Sequence, residues 1–455
     1  MLMRFSVSNF MSFGYKIDEN ENVIPEEFHM YAGRSEQFKE RVFSFDGRKV
    51  LKFASVYGAN ASGKTNLIHA INCGRNILIH TLEKENFGDK YCRSKVINQT
   101  KPSQFEYEFT IGNRAFAYGF TVNFFECRII SEWLYELVGS TENIIFERIT
   151  ENNQYYFDES LFTSSENLQQ FHFFIKDANR VETSLLLYEL KRRNLEEQDF
   201  EIFNKIYKWF QYKLIIIYPE TKFGDSYRLF ADDNKKLIDI LDYLDTGITE
   251  YSLRELNKSA FLEYFPDTGI AEHFLRAPKK EGRSAVDSIL RYGDTLFELK
   301  YEGGETPKIK KLMFQHGLDE NHYDYGEESD GTQRLIELLG IILNEDEEKV
   351  FIIDELDRSL HPKMTIKFVE TFFKLSQNKK NQLIITTHES NLMDFKILRR
   401  DEIWLTEREA DNTTTLIPFE KFKTRVDKVV SKDYLEGRYG AVPIFKDFEY
   451  MWGRD

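Results

Sequence analysis

The most informative segment of the chain is Phe53-Ala-Ser-Val-Tyr-Gly-Ala-Asn-Ala-Ser-Gly-Lys-Thr65, which continues into Asn66-Leu-Ile-His-Ala-Ile-Asn72. Its start reads as an apolar strand, Gly58–Thr65 match the pattern GxxxxGK(S/T) in full, and the continuation has helical character. A chance match to the pattern would lack this order of strand, loop and helix. Glycines let the backbone N–H groups turn inward as an anion nest at the helix N-terminus. We therefore predict a loop that binds nucleotide phosphates.

Two residues of this loop have expected roles of their own. Lys64 should reach the β- and γ-phosphates of ATP, and the hydroxyl of Thr65 should ligate Mg²⁺. The other residues expected to contact the nucleotide are Gly58, Asn60, Ser62, Gly63 and Asn66.

A second apolar strand, Val350-Phe-Ile-Ile353, delivers the carboxylates of Asp354 and Glu355. Strands that are apolar on both faces belong in the middle of a parallel sheet, and ligands bind at the carboxyl ends of such strands. We expect Asp354 to hold Mg²⁺ and Glu355 to orient and polarise the attacking water. A third apolar strand, Leu383–Thr386, precedes His388, whose imidazole should bridge Glu355 and the γ-phosphate.

Bulk composition limits the class of protein. The chain has 455 residues, of which 30% are charged and 41% hydrophobic, and a formal net charge of −15. This balance is typical of a folded chain with two or three units, or with one domain that carries a large insertion. The negative charge would repel nucleic acid, so such contact would need a local basic patch, for which Lys279–Arg283 and Lys308–Lys311 are candidates.

The sequence predicts neither a targeting segment nor a zinc site. No apolar run approaches the roughly 20 residues of a membrane helix, so a cytoplasmic protein without membrane contact is expected. Cys73, Cys92 and Cys127 lack CxxC spacing and favour buried thiols over a disulfide or a zinc site.

The order of patterns predicts an α/β fold. Met3–Phe10 reads as a first strand, and three strand-like runs within 104–137 indicate an antiparallel meander. Residues 165–285 favour amphipathic helices without a long coiled coil. We therefore divide the chain into residues 1–164, a mainly helical insertion at 165–285, and residues 286–455.

With these elements in this order, the chain resembles the ABC/SMC-like ATPases. Glu328-Ser-Asp-Gly-Thr-Gln-Arg-Leu335 resembles a variant of their LSGGQ signature, which caps ATP held by a second subunit. Matching Gly331 and Gln333 puts Asp330 at the signature serine, whereas matching Ser329 requires one extra residue. The resemblance implies an ABC-type ATPase head with a mostly parallel central sheet. It also assigns Asp357 to a loop that crosses the dimer interface, although a helix cap would explain Asp357 equally well.

More narrowly, the chain is similar to small AAA-class ATPases of bacterial abortive-infection operons, of the RloA and AbiL type, which are related to the ATPase subunits of OLD-, Septu- and PARIS-like systems. The segments that carry this resemblance are Ser8–Phe13, Asp245–Ile248, Glu328–Leu335, Asp354–Pro362 and Tyr434–Pro443. The resemblance implies a homodimer or higher oligomer with ATP at the subunit interfaces, a separate nuclease-like effector and a phage protein as trigger. Too few residues follow His388 for the nuclease domain of OLD-type relatives.

Three functional hypotheses follow. The first is an ATP-driven switch in which the Lys64 site of one chain is completed by Gly331 and Gln333 of another. The second is a RecF-like DNA-binding ATPase, which the charge of −15 disfavours. The third is a sensor of a phage component that uses ATP turnover as a timer.

Gln104 is one candidate for the glutamine of the Q-loop.

Overall fold

The structure is a computed structural model that describes residues 1–221, 229–230, 235–275, 288–301, 307–317, 321–423 and 430–442. The chain divides into two compact units. The first comprises Met1–Pro219, Asp346–Leu356 and Ser376–Asp455, and the second comprises Glu220–Glu345 and Asp357–Leu375. Among the described residues, no helix combines the length and the apolar character that crossing a bilayer requires.

The strands of the described residues follow in chain order. They are β1 Leu2–Ser8, β2 Glu26–His29, β3 Val42–Phe45, β4 Arg48–Leu51, β5 Phe53–Gly58, β6 Ser103–Ile111, β7 Arg114–Asn123, β8 Arg128–Val138, β9 Thr141–Ile149, β10 Gln154–Phe157, β11 Leu214–Ile217, β12 Ile248–Leu256, β13 Ser288–Tyr292, β14 Thr295–Lys300, β15 Lys308–His316, β16 His322–Asp324, β17 Val350–Ile353, β18 Gln382–Thr386, β19 Ile403–Arg408 and β20 Thr414–Pro418.

The α-helices follow in the same way. They are α1 Lys64–Ile79, α2 Lys84–Phe87, α3 Ser165–Ala178, α4 Leu186–Arg192, α5 Glu201–Lys208, α6 Lys235–Tyr243, α7 Lys258–Leu262, α8 Thr268–Leu275, α9 Asp330–Ile342, α10 Pro362–Leu375 and α11 Val430–Leu435.

A six-stranded sheet forms the centre of the first unit, in the order β11-β17-β18-β5-β19-β20. Neighbouring strands pair in parallel, except that β20 pairs antiparallel with β19. The strands β5, β17 and β18 are buried along their whole length, as expected for the middle of a covered sheet. Their carboxyl ends therefore meet at one edge, where Gly58, Asp354 and His388 follow.

A second sheet in this unit is antiparallel, in the order β10-β9-β8-β7-β6-β1-β2. It contains the predicted meander as β6, β7 and β8. The two sheets and the helices between them share one large hydrophobic core. The predicted fold class, a mostly parallel sheet with flanking helices together with an antiparallel meander, is thus confirmed.

The helices of residues 165–208 pack against the core of the first unit. Phe171, Ile175 and Leu186 belong to that core. A fully buried ion pair fixes them there, because Arg148 Nε donates to Glu132 Oε2 at 2.7 Å and its Nη atoms donate to backbone carbonyls at the end of α3 and before α4. The first compact unit thus includes these helices and continues to Pro219.

The second unit has a sheet of its own, in the order β12-β15-β14-β13, with β16 paired to β15. Its core includes Phe261, Phe297 and Ile309. The segment 165–285 thus contains β11 and β12 besides helices. Strand β12 pairs along its length with β15, which lies in another part of the sequence, so local periodicity does not reveal it.

Of the two basic clusters, the structure describes the second. Lys279–Arg283 lies outside the described residues. In the other cluster, Lys311 pairs with Asp324 at 2.5 Å, and Lys310 lies 3.7 Å from Glu298. Acidic partners therefore neutralise part of the Lys308–Lys311 cluster.

Candidate nucleotide site

The loop between β5 and α1 holds the ammonium group of Lys64 over its own backbone. Lys64 Nζ donates to the carbonyl oxygens of Gly58 at 2.8 Å and Ala59 at 3.1 Å. Ala61 and Gly63 have φ values of 61° and 110°, in the left-handed region. Such alternation turns successive backbone N–H groups toward one side, which is the geometry of an anion nest. The cation and the nest are both available to phosphate groups.

Two threonines of the adjoining hairpin explain why the loop needs glycine. A Cβ atom at Gly58 would lie 2.2 Å from Thr406 Oγ1, and one at Gly63 would lie 2.2 Å from Thr414 Oγ1. The same hydroxyls support the loop, because Thr406 Oγ1 lies 2.5 Å from Ser62 Oγ and Thr414 Oγ1 donates to Ser62 O at 2.9 Å. Thr406 on β19 and Thr414 on β20 were not identified from the sequence.

The carboxylate of Asp354 is a hydrogen-bond partner of Thr65. Asp354 is buried, and its Oδ1 accepts hydrogen bonds from Thr65 Oγ1 at 3.3 Å and from Thr386 Oγ1 at 2.6 Å. A hydroxyl together with a carboxylate suits Mg²⁺, which keeps several waters and takes its remaining ligands from substrate phosphates. The donor set of Thr65 and Asp354 therefore fits the expected metal.

Glu355 adopts an unusual backbone conformation at the end of β17. Its φ of 50° lies in the left-handed region, which costs free energy for a residue other than glycine. Its backbone N–H donates to Thr386 Oγ1 at 2.8 Å, and the N–H of Leu356 donates to Thr386 O at 3.0 Å. These contacts hold the strained turn and direct the carboxylate into the cavity described next.

A cavity of about 390 Å³ brings most of the expected residues together. Its lining comprises Ser12, Asn60, Ala61, Gly63, Lys64, Thr65, Asn66, Glu355, His388, Arg408 and Asn412. Gly58, Ser62 and Asp354 do not line it, but each contacts a loop residue that does. Lys64, Arg408 and Glu355 thus line a space of suitable size for a polyphosphate and its metal, and Asp354 contacts this lining through Thr65.

Three residues of this lining were missed by sequence reasoning. Ser12 Oγ accepts a hydrogen bond from Asn66 Nδ2 at 2.7 Å and lies 2.7 Å from Thr414 Oγ1, which ties the segment Ser8–Phe13 to the phosphate loop. Arg408 and Asn412 also line a neighbouring cavity of about 530 Å³. Single serine, asparagine and arginine residues carry no local signal, so only the fold brings them here.

Gln104 lies elsewhere. It occupies β6 opposite Ser8 and is not among the residues that line the cavity. The strand beside β17 is β11, and the residue after it is Tyr218, whose hydroxyl lies 3.1 Å from both His69 Nδ1 and Asn72 Nδ2. Burial raises the pKa of Tyr218 to about 12 and lowers the pKa of His69. The position next to Asp354 is thus held by a neutral tyrosine.

The residues of the signature segment lie in the second unit. Ser329 is the N-cap of α9, and its Oγ accepts a hydrogen bond from the backbone N–H of Thr332 at 3.2 Å. Ser329 and Asp330 are exposed. The structure therefore puts the serine hydroxyl at the helix cap and Asp330 in the first turn.

Gly331 and Asp357 belong to neighbouring backbone within this unit. A Cβ atom at Gly331 would lie 2.8 Å from Ser359 O, so the close approach of the two segments requires glycine. Asp357 accepts a backbone hydrogen bond from Leu360 in the turn before α10. Gln333 Nε2 donates to Glu328 O at 3.0 Å.

Comparisons with known proteins place the sequence in context. The family model described as "AAA domain, putative AbiEii toxin, Type IV TA system" matches residues 53–394. A comparison with curated proteins returned no match.

Solved structures give remote similarities to SMC heads. One is the SmcHead bound to the C-winged helix domain of ScpA, with 14% identity, coverage of 92% of this chain and 99% of that one, and a TM-score of 0.39. The SMC head domain from Thermotoga maritima has 12% identity, coverage of 92% and 98%, and a TM-score of 0.37. The Smc head domain with an extended coiled coil, bound to the C-terminal domain of ScpA and derived from Pyrococcus furiosus, has 16% identity, coverage of 92% and 97%, and a TM-score of 0.36.

Proposed function

We propose that the chain hydrolyses ATP with Mg²⁺ at the cavity around Lys64. The chain belongs to the family of AAA domains whose model matches residues 53–394, and proteins of this family are nucleotide-binding ATPases. The observation that carries the proposal is that one cavity is lined by Lys64, Thr65, Glu355 and His388. Asp354 accepts a hydrogen bond from Thr65 of this lining.

Each residue has a distinct part in the proposed reaction. Lys64 and the inward N–H groups of the loop bind the β- and γ-phosphates, while Thr65 and Asp354 hold the metal. When bound, Mg²⁺ neutralises phosphate charge. Glu355 orients the attacking water and accepts its proton, since it lines the cavity together with Lys64 and His388. His388 donates a hydrogen bond to the γ-phosphate.

We further propose that two chains share each ATP. The exposed N-terminus of α9, with Ser329, Gly331 and Gln333, would cap the γ-phosphate bound to Lys64 of the partner chain. Support comes from the general affinity of helix N-termini for anions and from the similarity of Glu328–Leu335 to the ABC signature. Asp357 would lie at the same interface. The assembly is then a homodimer or a higher oligomer that opens after hydrolysis.

The biological role that we propose is that of a sensor and switch subunit in antiphage defence. Its ATP cycle would control a separate nuclease-like effector and respond to a phage protein. The proposal rests on the family description and on the resemblance to abortive-infection ATPases, including the segments at Asp245–Ile248 and Tyr434–Pro443.

Enzyme activity, native purification and DNA binding test these proposals. The purified chain should hydrolyse ATP only with Mg²⁺, and the activity should disappear in Lys64→Ala. Native purification followed by mass spectrometry should recover a second, effector-like protein, whereas recovery of this chain alone would contradict the defence role. ATP-dependent and salt-sensitive DNA binding would instead favour the RecF-like hypothesis.

A further inference from the structure

A buried glutamate begins the signature segment Glu328–Leu335 and has a histidine as a side-chain partner. The side chain of Glu328 is 4% exposed, and its Oε1 lies 2.8 Å from His316 Nε2. A carboxylate oxygen can only accept, so the imidazole donates from Nε2. His316 is the last residue of β15, and Glu328 precedes the exposed Ser329. The hydrogen bond therefore joins the end of β15 to the start of the signature segment.

The conformation of the signature segment depends on the same glutamate. The carbonyl of Glu328 accepts from Gln333 Nε2 at 3.0 Å, and the N–H of Gln333 donates to Ser329 O at 2.9 Å. Ser329 then caps the helix through the N–H of Thr332. A movement of Glu328 would thus displace both the serine hydroxyl and the glutamine side chain.

The segment Asp245–Ile248, singled out in the sequence, contacts the other side of the imidazole. A Cβ atom at Gly247 would lie 3.3 Å from His316 Nδ1, so the ring lies beside this glycine with little room for a side chain. Ile248 is the direct strand partner of His316. The turn itself is fixed, because Thr246 Oγ1 donates to Leu241 O at 2.9 Å and accepts from the N–H of Ile248 at 3.2 Å.

We propose that His316 is a positioning residue for the signature segment and that the turn Asp245–Ile248 holds its ring in place. The turn, His316, Glu328 and Ser329 form a continuous series of contacts within the second unit. This inference rests on the proposed role of the signature segment in an ATP site shared by two chains. The Asp245–Ile248 motif, which is not part of the phosphate loop, would thus support the signature segment.

The test measures nucleotide binding and assembly separately in a Glu355→Gln background. At a protein concentration too low for assembly, His316→Leu should leave ATP affinity at the Lys64 site unchanged. The protein concentration needed for ATP-dependent assembly should rise by about tenfold or more, as expected when a charge-assisted hydrogen bond is lost. His316→Gln should restore assembly, because its amide can still donate to Glu328. The matched control is His273→Leu, because His273 is an exposed histidine of α8. This variant should assemble as the Glu355→Gln parent does.

A second pair of variants tests the turn without changing the histidine. Gly247→Ala should weaken assembly because its methyl group would press on the ring. Gly293→Ala, at a φ of 56° with open space around it, shares the backbone strain of Gly247 at 76° and should assemble normally. Thermal unfolding shows whether each variant is folded.

The outcomes separate the two proposals. If Glu355→Gln itself does not assemble with ATP, the shared site fails and this inference fails with it. If Glu355→Gln assembles and His316→Leu and Gly247→Ala assemble equally tightly, only the positioning role is overturned. Equal weakening by Gly247→Ala and Gly293→Ala would also overturn the proposed role of the turn.

Discussion

Thr386 Oγ1 donates a hydrogen bond of 2.6 Å to Asp354 Oδ1, and both residues are almost fully buried at the carboxyl edge of the central sheet. The same hydroxyl accepts the backbone N–H of Glu355 at 2.8 Å. One side chain of β18 therefore fixes the carboxylate expected to hold the metal and the backbone of the carboxylate expected to orient water.

Replacing this hydroxyl should impair turnover more than nucleotide binding. Thr386→Val leaves the buried Asp354 oxygen short of a donor, which should lower the free energy of unfolding by about 1–3 kcal/mol. We expect kcat for ATP to fall by roughly tenfold or more, because Glu355 loses its anchor. Thr386→Ser keeps the hydroxyl and is the control. A Thr386→Val protein with the kcat of the parent chain would contradict this role.

Lys64→Ala should abolish nucleotide binding. The ammonium group already lies over the loop through its contacts with Gly58 and Ala59, so phosphates gain a preorganised cation. We expect the affinity for ATP, measured by titration calorimetry, to fall by about 100-fold or more, equivalent to about 2.7 kcal/mol. Lys95→Ala, on the exposed surface, should bind as the parent does. Retained ATP affinity in Lys64→Ala would place the nucleotide elsewhere.

Gly58→Ala should damage the phosphate loop by steric overlap with the hairpin. The new methyl group would lie 2.2 Å from Thr406 Oγ1 and 2.4 Å from Ser62 Oγ. We expect a loss of about 1–3 kcal/mol in unfolding free energy, together with weaker ATP binding. Gly112→Ala, at a φ of 61° with no neighbour within 4 Å, reports backbone strain alone and should bind ATP normally. Normal ATP binding by Gly58→Ala would show that the loop tolerates this overlap.

The pH dependence of stability should include a contribution from Glu402. Burial raises the pKa of its carboxyl to about 8, and Arg41, whose Nη1 lies 3.6 Å from Glu402 Oε2, offsets only part of this. The folded chain therefore keeps a proton that the unfolded chain releases near its ordinary pKa of about 4.3. Hence the contribution is full below about pH 4.3 and is lost as pH rises toward 8, by at most about 1.4 kcal/mol per pH unit.

Glu402→Gln removes this titration and should flatten the profile. Urea unfolding of both proteins across this pH range measures the difference. The stability of the parent chain should decline relative to that of Glu402→Gln as pH rises. Parallel profiles would show that Glu402 is ionised in the folded chain.

The fold and the site differ in how far the sequence could predict them. Gly58–Thr65 and Val350–Glu355 are contiguous, so their local pattern already indicates strand, loop and carboxylates. The predicted α/β class and the meander are confirmed for the same reason, since strand periodicity is local. The roles assigned to individual site residues stay predictions that the variants above test.

Other parts of the site depend on tertiary pairing. Thr406 and Thr414 reach the phosphate loop only because β19 pairs with β5 and β20 pairs with β19. Ser12 reaches Asn66 across the same unit. The pairing of β12 with β15 likewise joins distant segments, which made residues 165–285 read as mainly helical. A single side chain or strand pair of this kind has no periodic signal.

The mass of Glu355→Gln in solution shows whether two chains share each ATP. Glu355 is the expected general base, so its amide variant should bind ATP without hydrolysing it. Light scattering with and without ATP and Mg²⁺ should show an ATP-dependent increase to at least twice the chain mass of 54.0 kDa, which ADP does not reproduce. A Glu355→Gln chain that binds ATP yet keeps the same mass, or that hydrolyses ATP at the rate of the parent, would contradict the account.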